Sequence, residues 1–257
     1  MSLCASCLEV GSFSQAKATG QLTKLGKFDA YITGDEKSDK AVIIVPDVWG
    51  YSFNNVHVVA DKFASHIGAR VYIPDFHNNE DFNKQRLASP DPANFKPAVG
   101  DFLAKYHPRD AAWPSVREAV DEIRKVQKPK KVGAVGYCWG APSILHLGSA
   151  AAGASKVDAV AFAHPSLTET SDFEALQVPG LFVLAEHDQI FTPEKKEAAQ
   201  EATKKFAKQG GPLATWVWYP GVTHGFAIRG DESDAYTAQA MGAAANQVAS
   251  FFGAQLA

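Results

Sequence analysis

The chain has 257 residues, of which 46% are hydrophobic, 21% charged and 11% aromatic, a composition typical of packed globular proteins that excludes disordered and fibrous classes. With 25 Lys and Arg against 28 Asp and Glu, the formal net charge of -3 gives no basic field for binding nucleic acid or an anionic membrane surface. No apolar run approaches the roughly 20 residues that span a bilayer, so neither nucleic acid nor a membrane is an expected partner.

Strands and helices are predicted in alternation along the first half of the chain. Strands are predicted at Lys27–Thr33, Ala41–Pro46 and Arg70–Pro74. Between the last two, helical spacing places four apolar side chains on one face: Val56, Val59, Phe63 and Ile67. The proline-rich stretch from Asp75 to Trp113 predicts loops and short helices, and Pro114 is expected to open the next helix.

The second half is more regular and predicts the fold class. Strands are predicted at Lys131–Tyr137, Val157–Ala163, Gly180–Glu186 and Ala214–Pro220. Helices are predicted from Trp139, from Pro193 to about Lys208 with Thr192 as N-cap, and over Ser233–Phe252. Apolar strands that alternate with helices predict a single α/β domain with a mostly parallel sheet covered on both faces. Functional sites of such sheets lie at the carboxyl ends of the strands.

The three cysteines, Cys4, Cys7 and Cys138, cannot form a disulfide framework, and their odd number argues against a secreted scaffold. The first residues lack the features of a signal peptide, so we expect a cytoplasmic location. Cys4 and Cys7 have the spacing of half a zinc site, but no second pair completes it, and we expect neither metal nor cofactor. We assign residues 1–24 to an N-terminal arm and residues 25–257 to the domain.

The most informative motif is Gly136-Tyr137-Cys138-Trp139-Gly140, between a predicted strand and a predicted helix. It has the nucleophile-elbow form, with cysteine in place of serine, and glycines are needed because side chains would collide in so sharp a turn. The N-terminus of the following helix favours a thiolate at Cys138. The alternative interpretation is a buried structural cysteine at a strand–helix junction.

An elbow nucleophile needs an acid and then a base further along the chain. Asp188 follows one predicted strand and His224 lies in a glycine-flanked loop after the next, so both fall at carboxyl strand ends in the required order. Glu186 is the rival acid. The sequence therefore predicts a Cys138–His224–Asp188 triad.

The loop after an early strand is expected to contribute an oxyanion-binding amide in this architecture. We predict that the backbone amides of Val48 and Trp139 form this hole. Asp47, just before Val48, is a turn residue or else a group that holds or exchanges the thiol proton.

Several motifs together resemble the dienelactone hydrolase family of α/β-hydrolases, from about residue 25 to the end. They are Pro46–Gly50, Tyr72–Phe76, Gly136–Ala141, Glu186–Glu194 and His224–Phe226. The resemblance implies an α/β-hydrolase fold, Cys138 as nucleophile, His224 as base, Asp188 as orienting acid, and an acyl-thioester enzyme formed from an ester or lactone. The motif His164-Pro165-Ser166 resembles eukaryotic and plant members.

Two positions depart from the bacterial lactone-hydrolysing members. Those have Glu where this chain has Asp47, and an arginine for the substrate carboxylate soon after Pro74-Asp75, whereas this chain has no arginine until Arg86. The identity of the ester or lactone is therefore open. Residues expected to line the substrate pocket are Trp49, His77, Tyr137, His164, Phe226 and, as a cation, Arg229.

Two other functions remain alternatives. The same fold can serve as a non-catalytic ligand receptor, since fold does not fix function, and that interpretation predicts a damaged triad. A carbohydrate-active hydrolase requires two carboxylates that flank a glycosidic bond. The expected partner is a small-molecule ester or lactone, and the chain is expected to be a monomer or homodimer.

Overall fold

The computed structural model describes residues 8–91 and 94–257, and these residues form one eight-stranded sheet. Its strands are β1 (Gln21–Leu25), β2 (Phe28–Thr33), β3 (Lys40–Val45), β4 (Arg70–Pro74), β5 (Lys131–Tyr137), β6 (Ala159–Ala163), β7 (Gly180–His187) and β8 (Ala214–Thr223). They lie in the order β1-β2-β4-β3-β5-β6-β7-β8. Strands β3 to β8 are parallel, whereas β2 runs antiparallel to both β1 and β4. The predicted mostly parallel sheet is confirmed.

Helices cover both faces of this sheet. They are α1 (Asn54–Ile67), α2 (Phe82–Ala88), α3 (Val99–Lys105), α4 (Trp113–Val126), α5 (Ala141–Leu147), α6 (Thr170–Glu174), α7 (Pro193–Lys208), α8 (Phe226–Arg229) and α9 (Ala235–Gln255). Helix α1 packs against α9, and α4 packs against α5. Among the described residues, every helix is too short or too polar to cross a lipid bilayer.

The central strands explain where the site lies. In β3 and β5 every residue after the first is buried, which is why their sequences are continuous apolar runs instead of alternating ones. These two strands are parallel neighbours, with Val45 opposite Gly136 at their carboxyl ends. The loops that follow β3 and β5 therefore meet at one edge of the sheet.

Strand β1 is the main departure from the predicted elements, because it begins within residues 1–24, for which an N-terminal arm is predicted. Four of its five residues are exposed, and no apolar alternation marks it as a strand. The boundary at residue 25 thus falls inside a paired strand. Residues 8–20 contain no helix or strand but contact the domain, for example through the Ser14 amide and Asn55 Oδ1 at 2.9 Å. Cys4 and Cys7 lie outside the described residues.

Candidate active site

Cys138 lies where β5 turns into a 3₁₀ turn over Cys138–Gly140, which leads directly into α5. Its φ of 46° is in the left-handed region, which is strained for a residue with a side chain. A Cβ at Gly140 would overlap the carbonyl oxygen of Val45, and one at Gly136 would lie 2.7 Å from the carbonyl oxygen of Gly140. The two glycines are therefore required by close backbone approach, as the elbow motif predicts.

His224 and Asp188 meet at the carboxyl ends of β8 and β7. Their side chains are buried, and Nδ1 of His224 lies 2.9 Å from Oδ2 of Asp188. The other carboxylate oxygen accepts the amides of Ile190 at 2.9 Å and Phe191 at 3.0 Å. Burial alone would raise the pKa of Asp188, but the His224 contact and these two amides hold it below its ordinary value. The carboxylate is thus fixed in place and ionised.

The electrostatics of His224 link it to Cys138. Burial lowers its pKa, but the Cys138 thiolate and then the hydrogen bond to Asp188 outweigh burial and raise that pKa to about 10. The Cys138 sulfur acts on this pKa both through its charge and as a side-chain hydrogen-bond partner. Cys138 and Asp188 together therefore favour the protonated form of His224.

Glu186, the rival acid, lies elsewhere. It is partly exposed at the end of β7, where its carboxylate accepts the amide of Gly221 at 2.7 Å and lies 3.6 Å from the exposed His187 ring. The carboxylate beside His224 belongs to Asp188.

Asp47 forms a second buried charge pair at this edge of the sheet. Its Oδ2 lies 2.5 Å from Nε of Arg229, and its Oδ1 accepts the Trp49 amide at 2.9 Å. Nη1 of Arg229 reaches the backbone carbonyl of Glu9 at 2.5 Å. Burial raises the pKa of Asp47, Arg229 opposes the rise, and the Cys138 sulfur adds to it. Arg229, expected as a cation for the substrate, is thus already engaged by protein groups.

The two residues expected to form the oxyanion hole follow neighbouring strands. Val48 comes after β3 and Trp139 after β5, and both are buried. The Trp139 indole donates to the carbonyl of Tyr106 at 2.7 Å, which fixes the residue after the elbow.

Two buried histidines lie beside these groups. The His164 ring is 5.1 Å from the His224 ring, and the His77 ring is 4.4 Å from that of Trp139. Their ring nitrogens have no hydrogen-bond partner within the described part of the chain. Burial lowers the pKa of His77 to about 3, and burial with the charges of His224 and Arg229 lowers that of His164 well below its ordinary value. Both rings are neutral.

The aromatic residues expected in the pocket fall into two places. Tyr137 and Phe226 contact His164, with ring centroids 5.8 and 6.1 Å away. The Trp49 ring packs instead against Phe53 and Phe82, with ring centroids 5.6 and 6.3 Å away. Tyr137, His164 and Phe226 therefore gather beside His224.

A cavity of about 460 Å³ lies next to this centre, beyond the end of β4. Its walls include Asp75, Asn78, Lys105 and Tyr106 but none of the three triad residues. Tyr106 contacts His77, and His77 contacts Trp139, so this short chain of rings separates the cavity from the elbow.

Sequence reasoning missed two contacts in the centre. The hydroxyl of Ser166 lies 3.4 Å from the Cys138 sulfur, and the Glu9 carbonyl contacts Arg229. Nothing in the sequence of the His164-Pro165-Ser166 motif indicates which side chain faces the sulfur. Within the described residues, no group of three or more His, Cys, Asp or Glu side chains could hold a metal ion.

Comparisons with known proteins identify relatives of this chain. The chain is 28% identical over 250 residues to the hydrolase tropI of Talaromyces stipitatus, covering 96% of this chain and 94% of that protein. It is 27% identical over 229 residues to a carboxymethylenebutenolidase homolog of Xenopus tropicalis, covering 87% and 85%. A crystal structure of a dienelactone hydrolase-like promiscuous phosphotriesterase from metagenomic libraries superposes with a TM-score of 0.68 at 17% identity, covering 89% and 92%.

The model of the dienelactone hydrolase family matches residues 28–256, which is nearly the whole domain. The resemblance predicted from the motifs is confirmed, and so is the α/β-hydrolase fold that it implies. The chain therefore belongs to the dienelactone hydrolase family of ester and lactone hydrolases.

Proposed function

We propose that this protein cleaves a small ester or lactone through a Cys138–His224–Asp188 triad and an acyl-thioester intermediate. The observation that carries the proposal is the buried 2.9 Å contact between His224 and Asp188 beside a cysteine held in a left-handed elbow conformation. Since free cysteine has a pKa of about 8.5, an adjacent imidazolium is needed to keep it largely ionised near neutral pH.

The reaction has two halves. The Cys138 thiolate attacks the ester carbonyl carbon, and the carbonyl oxygen becomes an oxyanion that binds the amides of Val48 and Trp139. Collapse expels the alcohol, which takes a proton from the His224 imidazolium. His224 then accepts a proton from water as the water attacks the thioester, and the acid leaves with the thiolate restored.

Asp47 and Arg229 have a defined place in this proposal. The charge coupling between Asp47 and Cys138 supports Asp47 as a partner for the thiol proton. Arg229 is bound to Asp47 and to the Glu9 carbonyl, and these two contacts orient its guanidinium within the centre.

The groups beside His224 favour an uncharged acyl group. The neutral His164 ring lies 5.1 Å from the His224 ring and contacts the aromatic rings of Tyr137 and Phe226. We therefore propose a small aromatic or unsaturated ester or lactone as substrate and no cofactor. A reducing, cytosolic setting belongs to the proposal because the nucleophilic thiol must stay reduced.

The alternative functions have less support. Asp47 and Asp188 are each engaged by a basic side chain, which disfavours the pair of free carboxylates that a carbohydrate hydrolase needs. Ligand binding by a non-catalytic receptor does not require a cysteine and a histidine that are coupled by charge.

The test is stopped-flow hydrolysis of p-nitrophenyl acetate by the wild type and by Cys138→Ala. We expect a burst of nitrophenol stoichiometric with enzyme in the wild type and none in the variant. Ser143→Ala is the matched control, since it removes a similar buried atom from α5. Equal slow hydrolysis by wild type and Cys138→Ala, without a burst, would make Cys138 structural and favour the receptor or carbohydrate function.

A further inference from the structure

Ser166 lies on the loop between β6 and α6 and is paired with Cys138 twice. Its hydroxyl oxygen is 3.4 Å from the Cys138 sulfur, and its amide donates to the Cys138 carbonyl at 3.0 Å. Both residues are buried, with Ser166 only 1% exposed. Contacts from side chain and backbone together fix the hydroxyl relative to the sulfur.

The loop around Ser166 is built to hold this position. His164 and Leu167 have φ values of 39° and 58°, although neither is glycine. Such strain persists only where surrounding contacts over-determine the backbone, and it gathers at functional sites. Here the His164 amide donates to the Val183 carbonyl at 3.0 Å, on the neighbouring strand β7.

Arg109 secures the far end of the same loop. It contacts both carboxylate oxygens of Asp172, in α6, at 2.7 and 2.8 Å, and the Leu167 carbonyl at 3.4 Å. Asp172 also accepts the Glu169 amide at 2.8 Å. The strained segment is thus fixed on both sides of Ser166.

A hydroxyl suits a sulfur that changes its protonation state. It can accept a hydrogen bond from a thiol and, by rotating its own hydrogen, donate one to a thiolate. The hydrogen bond donated to the ionised thiolate is stronger than the one accepted from the neutral thiol. We propose that Ser166 is a positioning residue for Cys138, which holds the sulfur in one rotamer and stabilises its ionised form by hydrogen-bond donation. The catalytic meaning of this contact rests on the proposed function.

Other ionisable groups also face the sulfur. They are His224, with Asp188 behind it and the neutral His164 ring beside it, and Asp47, which is paired with Arg229. The His224 imidazolium favours the thiolate through charge, and the Asp47 carboxylate opposes it. The Ser166 contribution differs from these because it depends on the geometry of one hydrogen bond and adds no charge.

The experiment is a pH titration of the ultraviolet absorbance of the Cys138 thiolate in the free enzyme. Cys4 and Cys7 are replaced by serine throughout, and the Cys138→Ala spectrum is subtracted. In Ser166→Ala we expect the apparent thiol pKa to rise by about one unit, which means about tenfold less thiolate below that pKa. Ser166→Thr, which keeps the hydroxyl, should return the titration towards the wild type.

The matched control is Ser155→Ala, which also removes a buried, hydrogen-bonded hydroxyl, 2.9 Å from Asp121 and outside this centre. It should destabilise the protein without moving the titration. If Ser166→Ala titrates like the wild type and only loses stability, Ser166 is structural and the proposal is wrong. Ser166→Gly provides a second hydroxyl-free variant in case Ser166→Ala does not fold.

This test needs no substrate, so its outcome is separate from that of the burst experiment. A normal burst with an unmoved Ser166→Ala titration overturns the positioning role alone. A moved titration without any burst leaves the Ser166–Cys138 contact in place and overturns the proposed hydrolysis.

Discussion

The centre contains two buried carboxylates, one on each side of β5 in the sheet, and they are held in different ways. Asp188, after β7, accepts two loop amides in addition to His224, and its pKa lies below the ordinary value. Asp47, after β3, binds the Arg229 guanidinium and the Trp49 amide, yet burial raises its pKa. His224 and the two amides thus outweigh the effect of desolvation on the pKa of Asp188, whereas Arg229 and the Trp49 amide do not outweigh it for Asp47, where the Cys138 sulfur adds to the rise.

The basic partners differ as well. A histidine can gain and lose a proton near neutral pH, whereas an arginine stays charged at every pH at which proteins fold. In the Asp188–His224 pair the basic member can therefore transfer a proton, whereas in the Asp47–Arg229 pair only the carboxyl group can. The predictions below test this division of roles.

The largest effect is expected when Asp188 loses its charge. Asp188→Asn should lower kcat for a p-nitrophenyl ester by about 10³–10⁴-fold, because the tautomer and the positive charge of His224 are no longer supported. Glu186→Gln is the matched control and should remain near the wild-type rate, since Glu186 contacts Gly221 instead. If steady-state kinetics showed a large loss of kcat for Glu186→Gln and none for Asp188→Asn, Glu186 would be the orienting acid.

Replacement of the Asp47 carboxyl group should act mainly on stability. Its two oxygens contact Arg229 Nε and the Trp49 amide, whether or not the group is ionised. Asp47→Asn has one acceptor oxygen for these two buried donors, so we expect a loss of about 3–5 kcal/mol in the free energy of unfolding. Urea denaturation at neutral pH measures it. Asp29→Asn breaks an exposed ion pair with Lys24 and should cost no more than about 1 kcal/mol. Equal losses in the two variants would contradict the inferred role of the Asp47–Arg229 pair.

The smallest expected effect is a difference between Asp188 and Asp47 in how their contributions to stability depend on pH. The pKa of Asp188 is lowered from 3.8, so its stabilisation is present above that pH and is lost as the pH falls through the folded value. The pKa of Asp47 is raised from 3.8, so stability is greatest with the protonated carboxyl and is lost as the pH rises through the folded value.

Urea denaturation over the acid range checks these signs. The stability difference between wild type and Asp188→Asn should grow as the pH rises, and that between wild type and Asp47→Asn should shrink. Each unit of pKa shift corresponds to about 1.4 kcal/mol. If the stability difference from the wild type changed in the same direction with pH for both variants, the two carboxylates would be equivalent.

The sequence was most informative where backbone geometry constrains residue type. Gly136 and Gly140 are needed for the elbow, and the buried strands β3 and β5 are continuous apolar runs, so the sheet and the placement of Cys138 could be predicted. The meeting of Asp188 with His224 followed from the positions of both at carboxyl strand ends. Strand β1 was missed because an exposed edge strand needs no apolar pattern.

The missed contacts have a different cause. The Glu9 contact uses a backbone carbonyl, which every residue has, so no side chain indicates it. The position of Ser166 depends on left-handed φ values at His164 and Leu167, residue types that do not indicate such a conformation. The oligomeric state, monomer or homodimer, depends on surfaces rather than motifs and remains a prediction.

The Asp47–Arg229 contact joins residues 182 positions apart, and the Arg229–Glu9 contact joins residues 220 apart. On a ribosome, Asp47 is made long before its cation. At roughly 5–20 residues per second, the delay is on the order of ten to forty seconds. A nascent chain can already contain β3, β5 and Cys138 while Asp47 still has no guanidinium beside it. The charge balance around Cys138 is therefore completed only after Arg229 has been translated.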